Sequence, residues 1–110
     1  MKLPRGDLAE VDSRKVREYL LSETHPIGRS KARFFRGAGF DEANADFLVA
    51  ALLYIARTQE VIETSETVYG VKYALAGNVE SPTGHQILVR TIWIVDREYD
   101  RPRFVTAYPA

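Results

Sequence analysis

The spacing of apolar residues changes along the chain from a helical repeat to a strand repeat. In the first half, apolar residues recur every three to four positions, as on one face of an α-helix. From Val71 onward they alternate with polar residues, as in half-buried strands. This order predicts an α+β domain, in which about three N-terminal helices pack on one face of a three- to four-stranded antiparallel sheet.

Capping residues and glycines set the predicted limits of the helices. Asp and Ser accept hydrogen bonds from the free N–H groups at a helix start, and Gly favours the turn at a helix end. The first predicted helix begins at Asp12 or Ser13 and runs through Leu20. The second begins at Gly28 or Arg29 and ends at Gly37 or Gly39. The third covers 42–57, with Asp41 as its cap. The third carries an apolar stripe that predicts a buried face made of Phe47, Leu48, Ala51, Leu52 and Ile55.

Turn residues and β-branched runs set the predicted strands. The run at 86–95 is rich in β-branched and aromatic residues and is predicted to be the central strand. Other strands are predicted at 71–75 and 103–108, with turns at 81–84 and 96–102 and a short N-terminal strand allowed at 9–11. The polar, acid-rich stretch 58–67 is predicted to be a connector.

Alternation along the late strands indicates which side chains share a face. Arg90 falls on the opposite face of the central strand from Trp93, and Phe104, Thr106 and Tyr108 fall together on the last strand. A buried arginine must be paired or hydrogen-bonded. Arg90 is therefore expected to meet an acidic partner, to point into a polar cleft, or to extend to solvent on an open face of the sheet.

Composition predicts one soluble domain spanning 1–110. The chain has 110 residues, 45% of them hydrophobic and 27% charged, as in ordinary globular domains. It contains no cysteine, which excludes disulfides, thiolate nucleophiles and Cys-type metal sites within the chain. No apolar run is long enough to span a bilayer, and the N-terminal residues are too charged for a signal peptide. We therefore expect a cytoplasmic location and no membrane partner.

The formal net charge is zero, but the charges are unevenly distributed. Residues 1–36 carry nine Lys/Arg and five Asp/Glu, residues 37–68 carry one and six, and residues 69–110 carry five and four. Nucleic-acid binders depend on a basic patch and not on a basic total. Neutrality therefore leaves an RNA substrate open, although it disfavours tight nonspecific binding.

The basic part of the chain includes His25, which is the candidate proton-transfer group. Pro26 biases His25 toward an extended conformation and hence a loop, and Gly28 permits a tight turn. The cations that follow in the second helix are Arg29, Lys31 and Arg33. Cations at a helix N-terminus oppose its dipole, a cost that a bound anion would offset. The segment is interpreted either as an anion site or as a solvated basic turn.

These residue types suit metal-independent RNA cleavage, in which the 2′-hydroxyl of the substrate is the nucleophile. The protein must move protons and stabilise a dianionic phosphorane. Histidine changes charge near neutral pH, so His25 suits proton transfer, and Lys31 or Arg90 suits charge stabilisation. Thr106 and Tyr108 suit hydrogen bonding to phosphate, and Tyr108 also suits stacking on a base. Ordinary strand composition is the alternative explanation for this Thr-x-Tyr pair.

Motifs of other enzyme classes are absent from the sequence. It has no P-loop, Rossmann glycine pattern, H-E-x-x-H or G-x-S-x-G. No carboxylates are spaced beside the two histidines, so we expect neither a metal nor a cofactor. His85 follows the turn at 81–84 and is expected to be an exposed hairpin residue.

Five sequence blocks carry a family resemblance. They are 2–7 (K-L-P-R-G-D), 25–35 (H-P-x-G-R-x-K-A-R-x-F), 69–73 (Y-G-x-K-Y), 89–94 (V-R-T-x-W-I) and 102–109 (P-R-x-V-T-A-Y-P). Together they resemble an uncharacterised bacterial toxin-associated domain family. Its members are small stand-alone proteins, often encoded beside a second small protein, or C-terminal modules of polymorphic toxins.

The layout of that family is similar to the barnase–EndoU–colicin–RelE group of metal-independent ribonuclease toxins. The resemblance implies an early His, a following basic residue and a Thr-x-Tyr pair on a late strand. The matching positions are His25, Arg29 or Lys31, and Thr106 with Tyr108. Substrate contacts are also expected from basic and aromatic residues of these blocks, namely Arg29, Arg33, Lys72, Trp93 and Arg103.

Two functions are predicted as alternatives. The first is a ribonuclease toxin with RNA as substrate and a cognate small antitoxin or immunity protein as partner. Its expected catalytic residues are His25, Lys31, Arg90, Thr106 and Tyr108. The second is a noncatalytic interaction module, such as an antitoxin, an immunity protein or an adaptor. The first requires these side chains to converge in one cleft, whereas the second expects them to be scattered or engaged in internal hydrogen bonds.

Overall fold

The helices lie in the N-terminal half, as predicted. The computed structural model describes residues 1–26 and 29–110. In it, α1 spans Ser13–Lys15 and continues into a π-helical turn at Val16–Leu20, α2 spans Arg29–Gly37 and α3 spans Ala45–Thr58. The Asp12 side chain accepts a hydrogen bond from the Arg14 N–H at 2.9 Å, which confirms the predicted cap. Gly28, with its predicted tight turn, lies outside the described residues.

The predicted third helix begins as a 3-10 turn, Glu42–Asn44, before α3. Asp41 caps that turn, since its side chain accepts from the Ala43 and Asn44 N–H groups while the Asn44 side chain accepts from the Asp41 N–H. The buried residues of α3 are Ala45, Leu48, Leu52, Ile55 and Ala56. The prediction that Phe47 belongs to this face is wrong, because its side chain is 74% exposed.

In the described residues, four strands form one antiparallel sheet in the order β1-β2-β3-β4. The strands span Val61–Glu66, Gly70–Glu80, Gln86–Asp96 and Arg103–Pro109. The prediction of a connector at 58–67 is wrong over β1, whose residues are mostly exposed and show no apolar alternation. β3 lies between β2 and β4, as predicted for the central strand. The allowed N-terminal strand is reduced to one parallel bridge between Glu10 and Arg103.

The helices cover one face of the sheet, which confirms the predicted α+β architecture. α3 packs against β2, and α2 packs against β4. Leu75, Val89 and Trp93 point from the sheet into the same core as Leu48 and Leu52 of α3. At Gly77 the close approach of α3 leaves no room for a side chain, because a Cβ atom there would lie 2.9 Å from Ile55 Cγ1.

The opposite face of the sheet, here called the open face, carries Arg90 and Tyr108. These residues are direct cross-strand partners, and Ile92 is paired with Thr106 two residues further along the same face. The register shifts between Ile92 and Trp93, so that Trp93 pairs with Phe104. This bulge puts Phe104 in the core and leaves Thr106 and Tyr108 on the open face. The prediction that Phe104 shares their face is therefore wrong.

Trp93 is part of the core and not of any surface. Its side chain is fully buried, its ring packs edge-on against Phe104 at 5.5 Å, and its Nε1–H donates to Thr91 Oγ1 at 2.9 Å. The Thr91 hydroxyl in turn donates to the Leu75 carbonyl at 3.1 Å. The expectation of a substrate contact at Trp93 is corrected by this burial.

Candidate functional site

Tyr19 brings together three of the predicted catalytic residues. Its hydroxyl accepts a hydrogen bond from Lys31 Nζ at 2.8 Å. Its ring makes an edge-on contact with the His25 ring, with the centroids 5.0 Å apart and the planes at 87°. The Thr106 side chain lies close enough to the Tyr19 hydroxyl to influence its pKa. His25, Lys31 and Thr106 therefore converge on one phenol, although they come from a loop, a helix and a strand. Tyr19 and these three residues are called the Tyr19 cluster below.

A π-helical turn sets the position of Tyr19. The Leu21 N–H donates to the Val16 carbonyl at 2.8 Å, so the turn contains one residue more than an α-helical turn. Val16, Leu20 and Leu21 are buried, whereas Tyr19 is only half-buried. Their burial fixes the turn and leaves the Tyr19 ring at the margin of the core. Turns of this kind occur frequently at functional sites.

His25 lies in the loop between that turn and α2, as predicted, and its backbone is held on both sides. The His25 N–H donates to Ser22 Oγ at 3.2 Å, and the His25 carbonyl accepts from the Arg29 N–H at 3.0 Å. Short Ser and Thr side chains form such turns readily because they hydrogen-bond nearby backbone groups. These two hydrogen bonds hold the His25 backbone where the His25 ring contacts Tyr19.

The surroundings of Tyr19 lower the pKa of its hydroxyl. Partial burial raises that pKa, but the hydrogen bond from Lys31, the nearby Thr106 hydroxyl and the charges of Lys31 and Lys15 outweigh the burial. The two ammonium groups lie close to the ring, with Lys31 Nζ 5.2 Å and Lys15 Nζ 6.0 Å from its centroid. The phenol consequently gives up its proton more readily than an ordinary tyrosine does, and this favours a role in proton transfer.

Two buried polar atoms near this site lack a hydrogen-bond partner of good geometry among the described residues. They are Thr106 Oγ1 and Arg90 Nε. Thr106 Oγ1 approaches the Tyr19 hydroxyl without meeting the geometry of a hydrogen bond to it or to any other described residue. Buried polar atoms are normally satisfied, so each unsatisfied one calls for an explanation. An oxygen-rich anion would accept from both of these groups.

Arg90, Glu63 and Tyr108 form a second group on the open face. Arg90 Nη2 and Glu63 Oε2 are 2.6 Å apart, so an acidic partner is present, one of the three environments considered for this arginine. The hydrogen bond to Glu63 is the main reason that the pKa of Arg90 is raised, and Tyr108 adds to the effect. Tyr108 is two residues from Thr106 on β4, so the second group adjoins the Tyr19 cluster.

The three cations of the basic segment do not act as one patch. Lys31 faces Tyr19, whereas Arg29 and Arg33 are exposed. Positions two residues apart on an α-helix differ by about 200° in direction, so Arg29 and Arg33 lie on the far side of α2 from Lys31. Like charges four residues apart repel each other on a helix surface, and a bound anion would relieve this repulsion.

The remaining candidates occupy separate places. Lys72 is exposed and lines a shallow pocket on the open face together with Glu63, Arg90 and Tyr108. Arg103 is ion-paired with Asp96 at 3.1 Å. His85 is exposed in the β2–β3 hairpin, as predicted.

Tyr19, Glu63 and Lys15 were not anticipated as parts of the site. Tyr19 falls within the predicted first helix, three residues after the apolar Val16, a spacing that indicates only a shared helix face. A half-buried tyrosine needs a hydrogen-bond partner for its hydroxyl, and this requirement is the sequence feature that indicates a polar contact at Tyr19. Glu63 lies in the stretch 58–67 that the sequence predicts to be a connector, so the sequence does not indicate its pairing with Arg90.

The described residues contain neither a candidate metal site nor a candidate membrane-spanning helix. They contain no group of three or more His, Cys, Asp or Glu side chains arranged to hold a metal ion. None of the helices in the same part of the chain has the length and apolarity that a membrane span requires.

Comparisons with known proteins identify a family and a shared fold. The model of a family described as Domain of unknown function (DUF6883) matches residues 2–110. No curated protein shows a significant match. Among solved structures, the chain is similar to one in the contact-dependent growth inhibition toxin–immunity protein complex from Klebsiella pneumoniae 342. The TM-score is 0.67 and the identity 15%, with 90% of this chain and 91% of that chain covered. At this identity the similarity shows the fold alone.

Proposed function

The chain belongs to the DUF6883 family, and we propose that it is a metal-independent endoribonuclease of a toxin system. The observation that carries this proposal is the convergence of His25, Lys31 and Thr106 on Tyr19. A phenol of lowered pKa beside an imidazole and an ammonium group supplies the proton-transfer groups and the positive charge that RNA transesterification needs. The site would require no metal.

In this mechanism His25 accepts the proton of the substrate's 2′-hydroxyl. The 2′-oxygen attacks the neighbouring phosphorus, and the bond from phosphorus to the 5′-oxygen breaks. Tyr19 donates its proton to the departing 5′-oxygen, so that the products are a 2′,3′-cyclic phosphate and a free 5′-hydroxyl. The hydrogen bond from Lys31 stabilises the phenolate that remains. Proton transfer back from His25 to Tyr19, directly or through water, restores both groups.

The charge that develops on the phosphate is stabilised by groups next to the Tyr19 cluster. Thr106 Oγ1 and Arg90 Nε are the buried polar atoms that need partners, and phosphate oxygens would accept from both. Glu63 orients the guanidinium of Arg90, and Tyr108 offers a hydroxyl or a stacking surface for a base. Lys72, Arg29, Arg33 and Arg103 are proposed contacts for flanking phosphates.

A toxin system is the proposed context because of the similar fold. The neighbouring structure is named as a complex of a contact-dependent growth inhibition toxin with its immunity protein. By analogy, we expect this chain to act on RNA in the cytoplasm and to be neutralised by a small cognate protein.

The test measures cleavage of an RNA oligonucleotide that is labelled at both ends. Purified wild type is expected to give a 2′,3′-cyclic phosphate in excess EDTA. His25→Ala and Tyr19→Phe are each expected to reduce the rate by about a hundredfold or more. The control variant is His85→Ala, which removes the other, exposed histidine and should leave the rate unchanged. An oligonucleotide with 2′-deoxyribose at the cleaved position should stay intact.

The proposal fails if the folded wild type leaves every RNA intact, or if His25→Ala cleaves as fast as wild type. Growth of cells that express the chain alone gives an independent measure. Equal growth with the wild type and with the His25→Ala variant would also count against a toxin.

A noncatalytic interaction module remains the second candidate, because both cations among the candidate catalytic residues already have internal partners. Lys31 is bound to Tyr19 and Arg90 to Glu63, as expected if these residues only stabilise the fold. On this alternative, Tyr19→Phe and Lys31→Met lower the free energy of unfolding, and no RNA is cleaved.

A further inference from the structure

The outer edge of β1 is a sheet edge without a covering strand over most of its length. β1 pairs with β2 on one side only and is the first strand of the sheet. Its start is covered, since the Val61 N–H donates to the Met1 carbonyl at 2.7 Å and Lys2 forms a bridge with Glu60. No strand of the described residues covers the outer side of residues 62–66. Open edges of this kind are templates for pairing with another chain.

The other edge of the sheet is covered at the start of β4. The Phe104 N–H donates to the Glu10 carbonyl, and the Glu10 N–H donates to the Pro102 carbonyl, both at 2.9 Å. α2 also packs against β4. Proteins commonly protect an edge with lysine, proline or a covering segment. β1 contains neither of those residues; its charges are glutamates, and its ladder with β2 is irregular only between Val61 and Glu63.

The charge on β1 favours one class of partner. Residues 58–71 contain three glutamates and no lysine or arginine. Glu60 is bound to the N-terminal amine and Glu63 to Arg90, whereas Glu66 forms no ion pair with a described residue. An added basic strand would place opposite charges across the new ladder, which is favourable. A second copy of β1 would place glutamates near each other and is disfavoured.

Apolar side chains flank this acidic edge. Ile62, beside the irregular step in the ladder, is 54% exposed. Val68 and Tyr69 in the following turn are 80% and 72% exposed. Exposed apolar residues next to a free edge are typical of protein interaction sites.

We propose that the β1 edge at 62–66 binds an extended, basic segment of a partner protein as an additional antiparallel or parallel strand. Backbone hydrogen bonds would provide the pairing, Glu66 the charge preference, and Ile62, Val68 and Tyr69 the apolar contacts. This proposal does not depend on RNA cleavage. It would fit a neutralising protein of a toxin as well as a partner of an interaction module.

The experiment uses the full chain and a capped synthetic peptide of about nine residues in which lysine alternates with valine and threonine. Binding is followed by ¹⁵N NMR in the absence of RNA. We expect the largest shifts at the amides of residues 62–66. Glu66→Lys should weaken binding by about fivefold, as expected when an opposite charge is replaced by a like charge. The matched control is Glu98→Lys, which makes the same charge change in the β3–β4 turn and should not alter binding.

Three further measurements complete the test. A peptide N-methylated at alternate positions cannot form the ladder and should bind far more weakly than the parent peptide. The same sequence with glutamate in place of lysine should not bind. Sedimentation of the chain alone should show no association through β1. Equal binding by the N-methylated peptide, shifts confined to another surface, or self-association through β1 would each overturn the proposal. RNA cleavage is not measured, so the outcome is separate from that of the proposed function.

Discussion

The Tyr19 hydroxyl provides a test of the candidate site that does not require a substrate. Its pKa lies below the ordinary value because the hydrogen bond from Lys31, the nearby Thr106 hydroxyl and nearby positive charge outweigh the effect of burial. Lys31→Met removes a donor and a charge, so we expect the pKa of Tyr19 to rise. The ionisation can be followed by phenolate absorbance or by the ¹³Cζ resonance of Tyr19. Lys72→Met, which removes an exposed cation of the open face, should leave this ionisation unchanged.

The direction of this shift also determines when it affects stability. A tyrosine whose pKa is lower in the folded state than in the unfolded state stabilises the fold only through its ionised form. This stabilisation therefore appears as the pH rises through the pKa of the folded state, where the phenolate begins to form. At a pH well below the folded-state pKa the hydroxyl is protonated in both states, so the shift contributes nothing there. A lowered pKa in the Lys31→Met variant would contradict the arrangement described for the Tyr19 cluster.

Side-chain chemistry predicts three members of the Tyr19 cluster but not Tyr19 itself. His25, Lys31 and Thr106 were named because their side chains suit phosphate chemistry. Tyr19 was missed because its place depends on a π-helical turn that no periodicity reveals. Trp93 was included through family resemblance, although strand alternation already put it on the face opposite Arg90.

At the scale of the element, two adjacent residues of α3 distinguish the predicted core from the observed one. The Leu48 side chain is fully buried, whereas that of Phe47 is 74% exposed. Leu48→Ala should therefore lower the free energy of unfolding by about 3 kcal/mol through lost burial and a residual cavity. Phe47→Ala, the larger truncation, should change it by only about 0.5 kcal/mol. Urea denaturation of both variants provides the measurement, and comparable losses would contradict this assignment of the buried face.

The elements that could be predicted are those whose two faces meet different environments. α3, β2 and β3 each bury part of their surface, so apolar spacing reveals them. β1 is exposed along most of its length and is held in the sheet by its pairing with β2, which leaves no apolar pattern to detect. The register shift of β4 likewise depends on its pairing with β3, which the sequence of β4 alone does not reveal. Because of this shift, Phe104 lies on the opposite face of the sheet from the predicted one.

At the scale of the whole molecule, strand order separates the two signs of charge. The acidic strand β1 is one edge of the sheet, and α2, which has four cations and no acidic residue, packs against the strand at the other edge. A chain of zero net charge thereby offers a basic side to a polyanion and an acidic side to a basic partner. If both proposals hold, the Tyr19 cluster, which includes Thr106 of β4, and the partner-binding strand β1 lie at opposite edges of the sheet.

This separation predicts how salt affects RNA binding. The affinity for a single-stranded 2′-O-methyl RNA, which resists cleavage, should fall as salt rises because phosphate contacts release counterions. Lys15 lies beside the Tyr19 ring, so Lys15→Gln should reduce the slope of log affinity against log salt by about 0.7, the value for one lost contact with a single strand. Arg97→Gln removes the same charge in the β3–β4 turn, and it should leave the slope unchanged. Equal effects of the two variants would mean that RNA responds to overall charge, and that the Tyr19 side of the molecule is not its binding surface.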